Sequence, residues 1–251
     1  MTNIILSGAN GKMGQVIAKM VAEMEDAKIC AGVDINTTPG SDYEVFDNPY
    51  EYTGDADAII DFSHPDALFN LLPFAVSRKI PVVVATTGLT DEHKARMQEA
   101  AKEIPVFFSA NMSVGVNLLI RLVTEAAKAL EENYDIEIIE KHHHRKIDAP
   151  SGTALMIADK IGEALTNAPE YVYDRHAKRK KRDKNEIGIS AVRGGTIVGE
   201  HTVLFAGPDE VLEVTHIAQS REIFAAGAIR AAKYIAGKPA GMYNMDNLLS
   251  E

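Results

Sequence analysis

Asn3-Ile4-Ile5-Leu6-Ser7-Gly8-Ala9-Asn10-Gly11-Lys12-Met13-Gly14 decides how the first half of the chain is read. A short apolar run ends in glycines. Beyond it Met13, Val16, Ile17, Met20, Val21 and Met24 recur at helical spacing. Strand, glycine turn and helix in that order give a glycine triplet its meaning. Gly8 permits the tight turn, Gly11 lets backbone approach a pyrophosphate, and Gly14 lets the helix pack close to the strand. The helix then turns its free N–H groups and positive end toward phosphates. The stretch predicts a dinucleotide site, although its spacing is G-x-x-G-x-x-G rather than G-x-G-x-x-G.

Outward from the turn, residues 28–33, 58–62, 81–85 and 106–109 are further apolar runs, each predicting a strand buried on both faces. Residues 66–78 and 91–102 read as helices, and a polar loop passes through Pro39 and Gly40. This alternation predicts an α/β fold, a Rossmann-type doubly wound parallel sheet. Asp34 ends the second run, twenty residues past Gly14. A carboxylate there accepts hydrogen bonds from ribose hydroxyls and repels a 2′-phosphate. Ile35 beside it is neutral, which favours NADH, while Lys12 in the turn keeps NADPH open.

The pattern changes near residue 111. Residues 114–130, 151–165 and 222–236 predict helices, the last packing back on the first domain. Residues 135–141, 187–192, 196–205 and 211–217 predict strands with few crossovers. They imply a second, α+β domain built on a mixed or antiparallel sheet. The expected division is 1–111 with 219–251 for the dinucleotide domain and 112–218 for the other.

Composition narrows the partners. The chain has 251 residues, net charge -10, 46% hydrophobic and 25% charged residues, which is ordinary globular composition. Such an acidic chain disfavours nucleic acid. The basic run 175–184, with seven Lys or Arg, has no stacking aromatics and reads as a solvated loop. Cys30 is the one cysteine and reads as a small core residue. No apolar run approaches the ~20 residues that span a bilayer, and the first residues lack a basic leader, so a cytoplasmic protein is expected.

Lys141-His142-His143-His144-Arg145-Lys146-Ile147-Asp148-Ala149-Pro150-Ser151-Gly152-Thr153 lies between a predicted strand and a predicted helix. Consecutive residues of an extended chain point to opposite sides, so three adjacent histidines rarely meet on one metal ion, and no metal is expected. Acid–base work suits them better. Lys146 adds a cation. Ser151 is a helix N-cap, and the N–H groups of Gly152 and Thr153 are placed to grip a carboxylate.

Glu140 through Ala154 fills every fixed position of E-x-H-H-x-x-K-x-D-A-P-S-G-T-A. The chain therefore resembles the dihydrodipicolinate reductase family of the diaminopimelate route to lysine. The likeness extends to Lys12-Met13-Gly14, Ala85-Thr86-Thr87-Gly88, Ala110-Asn111-Met112-Ser113-Val114-Gly115-Val116-Asn117, Val198-Gly199-Glu200-His201 and Ser220-Arg221-Glu222-Ile223-Phe224. It implies NAD(P)H-dependent reduction of 4-hydroxy-tetrahydrodipicolinate to tetrahydrodipicolinate, with loss of water. It implies His142 as acid/base, Lys146 as proton donor, and His143, Ser151, Gly152 and Thr153 as holders of a dicarboxylate substrate. Cofactor contacts fall on Gly8, Ala9, Asn10, Gly11, Lys12, Met13, Asp34, Ala85, Thr86, Thr87, Ser109, Ala110, Asn111 and Met112. Family members are homotetramers joined through the sheet of the substrate domain. Ile35, Ala85 and Met112 stand where many relatives have a basic residue, Gly and Phe.

Overall fold

The structure, a computed structural model, describes residues 1–38, 42–176 and 179–251. Pro39 and Gly40 of the predicted polar loop, and Ala177 and Lys178 of the basic run, lie outside the described residues. The elements run β1 (Thr2–Ser7), α1 (Lys12–Ala22), β2 (Ala27–Val33), β3 (Val45–Phe46), β4 (Ala58–Asp61), α2 (Leu68–Arg78), β5 (Val82–Val84), α3 (Asp91–Ala100) and β6 (Pro105–Phe108). There follow α4 (Val114–Leu130), β7 (Asp135–His142), α5 (Gly152–Ala164), β8 (Glu170–Val172), β9 (Glu186–Arg193), β10 (Gly199–Ala206) and β11 (Val211–Ala218). The chain ends with α6 (Glu222–Ile235), β12 (Gly241–Tyr243) and α7 (Met245–Leu249).

Two compact units result, Met1–Val114 with Glu222–Glu251, and Gly115–Arg221. The first holds a seven-stranded sheet in the order β12-β6-β5-β4-β1-β2-β3, with parallel pairing. Its strands are apolar throughout because both faces are covered. Ile4, Leu6, Ile60, Val83 and Phe107 face one core with Ile17 and Val21 of α1 and Ala228, Ile229 and Ala232 of α6. Ile5, Ile59, Val82, Val84 and Val106 face the other, with Leu71, Leu72 and Phe74 of α2 and Met97 of α3. Each fully buried Ile, Leu or Val contributes about 1.5–3 kcal/mol relative to exposure. The predicted helix 66–78 begins instead as a 3-10 turn, Pro65–Ala67, capped by His64.

The second unit is a five-stranded mixed sheet, β11-β10-β7-β9-β8. β10 runs antiparallel to β7 and β11, while β7 and β8 run parallel to β9. Ile136 and Ile138 of β7, Ile187 and Ile189 of β9, and Val203 and Phe205 of β10 pack under Leu119 and Val123 of α4 and Ile157 and Ile161 of α5. Burial alternates along β7, so Glu140 and His142 continue the covered face of Ile136 and Ile138. Arg175 and Arg182 of the basic run fold back on this sheet. Arg175 pairs with Glu137 and Glu186 at 2.6 Å each, and Arg182 with Asp135 at 3.0 Å and Glu137 at 3.1 Å.

Candidate active site

In the first unit the predicted cofactor residues gather at one edge of the sheet. Parallel strands share a direction, so the residues after β1, β2, β5 and β6 emerge at their common carboxyl ends, where open α/β sheets bind ligands. Gly8 sits at φ +79°, and a Cβ there would come within 2.6 Å of the Phe62 carbonyl oxygen. A Cβ on Gly14 would lie 2.1 Å from the Gly8 carbonyl oxygen. Helix α1 starts at Gly11 without a side-chain cap and without an acidic residue in its first turn. An uncapped helix start behind a glycine turn fits a pyrophosphate.

The Asp34 carboxylate clasps this turn. Its Oδ2 accepts from the Asn10 N–H at 2.9 Å, and its Oδ1 from the Asn36 N–H at 3.0 Å. Ile35 is 97% exposed and Lys12 is exposed. Ala85, Thr86, Asn111 and Met112 are buried, whereas Thr87 and Ala110 are exposed. Ser109 Oγ donates to the Asn111 carbonyl at 2.8 Å, which shapes the end of β6.

Sequence reasoning missed Asp61. This carboxylate is wholly buried at the end of β4. Ser7 Oγ donates to it at 2.7 Å and Thr86 Oγ1 at 2.6 Å, and Ser63 Oγ donates as well. One acid thus ties the end of β4 to the end of β1 and to the chain just after β5. Burial pushes its pKa up against those three hydroxyl hydrogen bonds. The available signal was an acid inside a run otherwise buried on both faces.

In the second unit the predicted residues gather where β7 ends and α5 begins. His142 is buried, and its Nδ1 meets Glu140 Oε2 at 2.6 Å. His143 Nδ1 is buried without a hydrogen-bond partner. Burial, then the cations Arg145 and Arg221, hold the His143 pKa below its usual value. His144 is exposed. Lys146 Nζ lies 2.9 Å from Asp148 Oδ1. The Lys146 ammonium, against a smaller push from burial, holds the Asp148 pKa low. Ser151 caps α5, its Oγ accepting from the Ala154 N–H at 3.2 Å. An added Cβ on Gly152 would meet nothing within 4 Å, so this helix start is open. Among the described residues no group of three or more His, Cys, Asp or Glu could hold a metal ion.

Known proteins match the chain along its length. The family model described as dihydrodipicolinate reductase, N-terminus, matches residues 2–112, and the one for its C-terminus matches residues 115–249. The 4-hydroxy-tetrahydrodipicolinate reductase of Caldanaerobacter subterraneus subsp. tengcongensis is 55% identical over 251 residues, covering 100% of this chain and 99% of the relative. That of Clostridium tetani is 46% identical, covering 100% and 98%. A solved dipicolinate-bound dihydrodipicolinate reductase from Paenisporosarcina sp. TG-14 shares the fold with TM-score 0.83 at 24% identity, covering 97% of each chain. The chain belongs to the dihydrodipicolinate reductase family.

Proposed function

We propose that this chain reduces 4-hydroxy-tetrahydrodipicolinate to tetrahydrodipicolinate, with loss of water, in the diaminopimelate route to lysine. One observation carries the reading. In the segment 142–153, Lys146 already holds a carboxylate, that of Asp148, three residues before Ser151, the cap of α5, and a buried histidine lies in the same segment. A ring carboxylate of the substrate takes the place of Asp148, with Ser151 and Thr153 completing the cradle. The unpartnered Nδ1 of His143 receives a second polar contact. When bound, the reduced nicotinamide supplies the hydride. Lys146 then delivers a proton to the ring system as negative charge builds on it, and His142 acts as acid/base. Neutralising charge that exists only in the transition state raises rate rather than mere affinity.

The turn residues Gly8, Ala9, Asn10, Gly11, Lys12 and Met13 hold the pyrophosphate, and Asp34 the ribose. Ala85, Thr86, Thr87, Ser109, Ala110, Asn111 and Met112 bind mainly through backbone. NADH is favoured, because a 2′-phosphate would face the Asp34 carboxylate with neutral Ile35 beside it. Asp34→Ala should weaken NADH about tenfold, the loss of one charge-assisted hydrogen bond, and NADPH by less. Fluorescence titration with both cofactors reads this, and an unaltered NADH affinity would remove Asp34 from the ribose site. The reading also includes a cytoplasmic homotetramer joined through the open face of the five-stranded sheet. There the cross-strand row Ile217, Glu200, Lys141 and Val192 has apolar ends that are 59% and 45% exposed.

The test mixes the protein, NADH and freshly made condensation product of pyruvate and aspartate semialdehyde, and follows NADH absorbance. Substrate-dependent loss of NADH is expected. Folded protein that leaves NADH untouched would overturn the reading.

A further inference from the structure

The best-buried charge of the second unit belongs to no residue assigned above. Glu140 is 0% exposed. A carboxylate survives such burial only when its oxygens are fully hydrogen-bonded. Four donors do this here. Oε1 accepts from the Ser151 N–H at 3.0 Å and from Arg193 at 2.7 Å. Oε2 accepts from Arg193 at 2.8 Å and meets His142 Nδ1 at 2.6 Å. That fills the acceptor sites of an ionised carboxylate. Burial alone would raise its pKa, but Arg193, His142 and Ser151 outweigh burial and hold it low.

We propose that Glu140, paired in bidentate fashion with Arg193, is the positioning residue of this site, fixing His142 with its proton on Nδ1 and fixing Ser151 at the head of the carboxylate cradle. An ionised carboxylate only accepts, so the imidazole must donate through Nδ1. Nε2 is then the nitrogen that exchanges a proton. It faces Gly199, where an added Cβ would come within 3.1 Å of it and make the ring shift slightly. The His201 ring packs edge-on to His142, with centroids 5.2 Å apart. Burial, then His142, push the His201 pKa down to about 4, so it adds no competing charge near neutral pH. The second arm of Glu140 runs through Ser151, whose Oγ meets His201 Nε2 at 3.0 Å and whose successors are Gly152 and Thr153. Arg193 also donates to the Asp148 carbonyl at 2.7 Å, so the same pair steadies the loop that carries Lys146. Acid and cradle are set by one side chain.

This inference rests on the function proposed above, and its test separates the two. Nitrogen-15 spectra of histidine-labelled full-length protein, without substrate, should show neutral His142 as the Nδ1–H tautomer, assigned by the resonance lost in His142→Gln. In Glu140→Gln, Arg193 claims the one amide oxygen and the NH2 group faces Nδ1, so His142 should change to Nε2–H. Its kcat should fall by up to about 10⁴-fold, as expected for a correctly placed imidazole in the wrong tautomer, with NADH affinity unchanged. Glu140→Asp should keep Nδ1–H and regain at least about tenfold of that loss. A wild-type Nε2–H tautomer overturns the proposal, whether or not any variant folds. So does a Glu140→Gln protein that keeps Nδ1–H, or one that loses activity no more than Glu140→Asp does. If wild-type protein does not turn over the condensation product, the proposed function fails, and the spectra still decide what Glu140 does to His142.

Discussion

Lys146→Ala is expected to lower kcat by about 10²–10⁴-fold, the range for loss of a positioned proton donor. NADH affinity should hold, since every residue assigned to the cofactor lies in the other unit. The side chain is 22% exposed and its ammonium lies 2.9 Å from Asp148. Alanine removes the donor and leaves the Asp148 carboxylate without its cation. The KM for substrate should therefore rise as well, because an uncompensated carboxylate faces an anionic ligand. Steady-state kinetics beside direct NADH titration separates the two effects. Wild-type turnover in this variant would take Lys146 out of the mechanism.

Gly14→Ala is expected to abolish measurable NADH binding and to destabilise the first unit by about 3 kcal/mol or more, the upper range for an overpacked site. The new Cβ would stand 2.1 Å from the Gly8 oxygen and 2.6 Å from the Ala9 oxygen. Both are backbone atoms, so no rotamer change relieves the clash and the turn must open. Gly11→Ala offers the internal comparison, because its Cβ would meet the Gly8 oxygen at 3.1 Å and needs only a small adjustment. Thermal unfolding and calorimetric NADH titration should rank Gly14→Ala well below Gly11→Ala. Equal affinities in both variants would mean that the turn does not carry the pyrophosphate.

The sequence makes the first sheet legible because parallel strands covered on both faces are apolar without interruption, as in Ile4-Ile5-Leu6 and Val82-Val83-Val84. It says little about β3, β8, β12 and α7, which are 2, 3, 3 and 5 residues long and too short to display a period. The site was half visible. His142, Lys146 and Gly152 stand in a contiguous segment, and contiguity survives without coordinates. Glu140 shares the parity of Ile136 and Ile138, which marks a charge on a covered face. Its partner Arg193 comes from 53 residues further along and reaches it only through the β7–β9 register, which pairs His142 with Arg193. Pattern along one strand reveals a face, but not which neighbour will share it. Asp61 and its hydroxyls join three strand ends by the same kind of non-local geometry.

On the function proposed above, Asp148 is a tethered competitor of the substrate. Because it is joined to the loop that carries Lys146, its carboxylate meets Lys146 at an effective concentration in the millimolar range typical of short linkers. A free monocarboxylic acid at lower concentration does not displace it. A ligand with a second carboxylate has a further point of attachment and gains the avidity needed to do so. On the function proposed above, the loop favours a dicarboxylate over a single-headed acid.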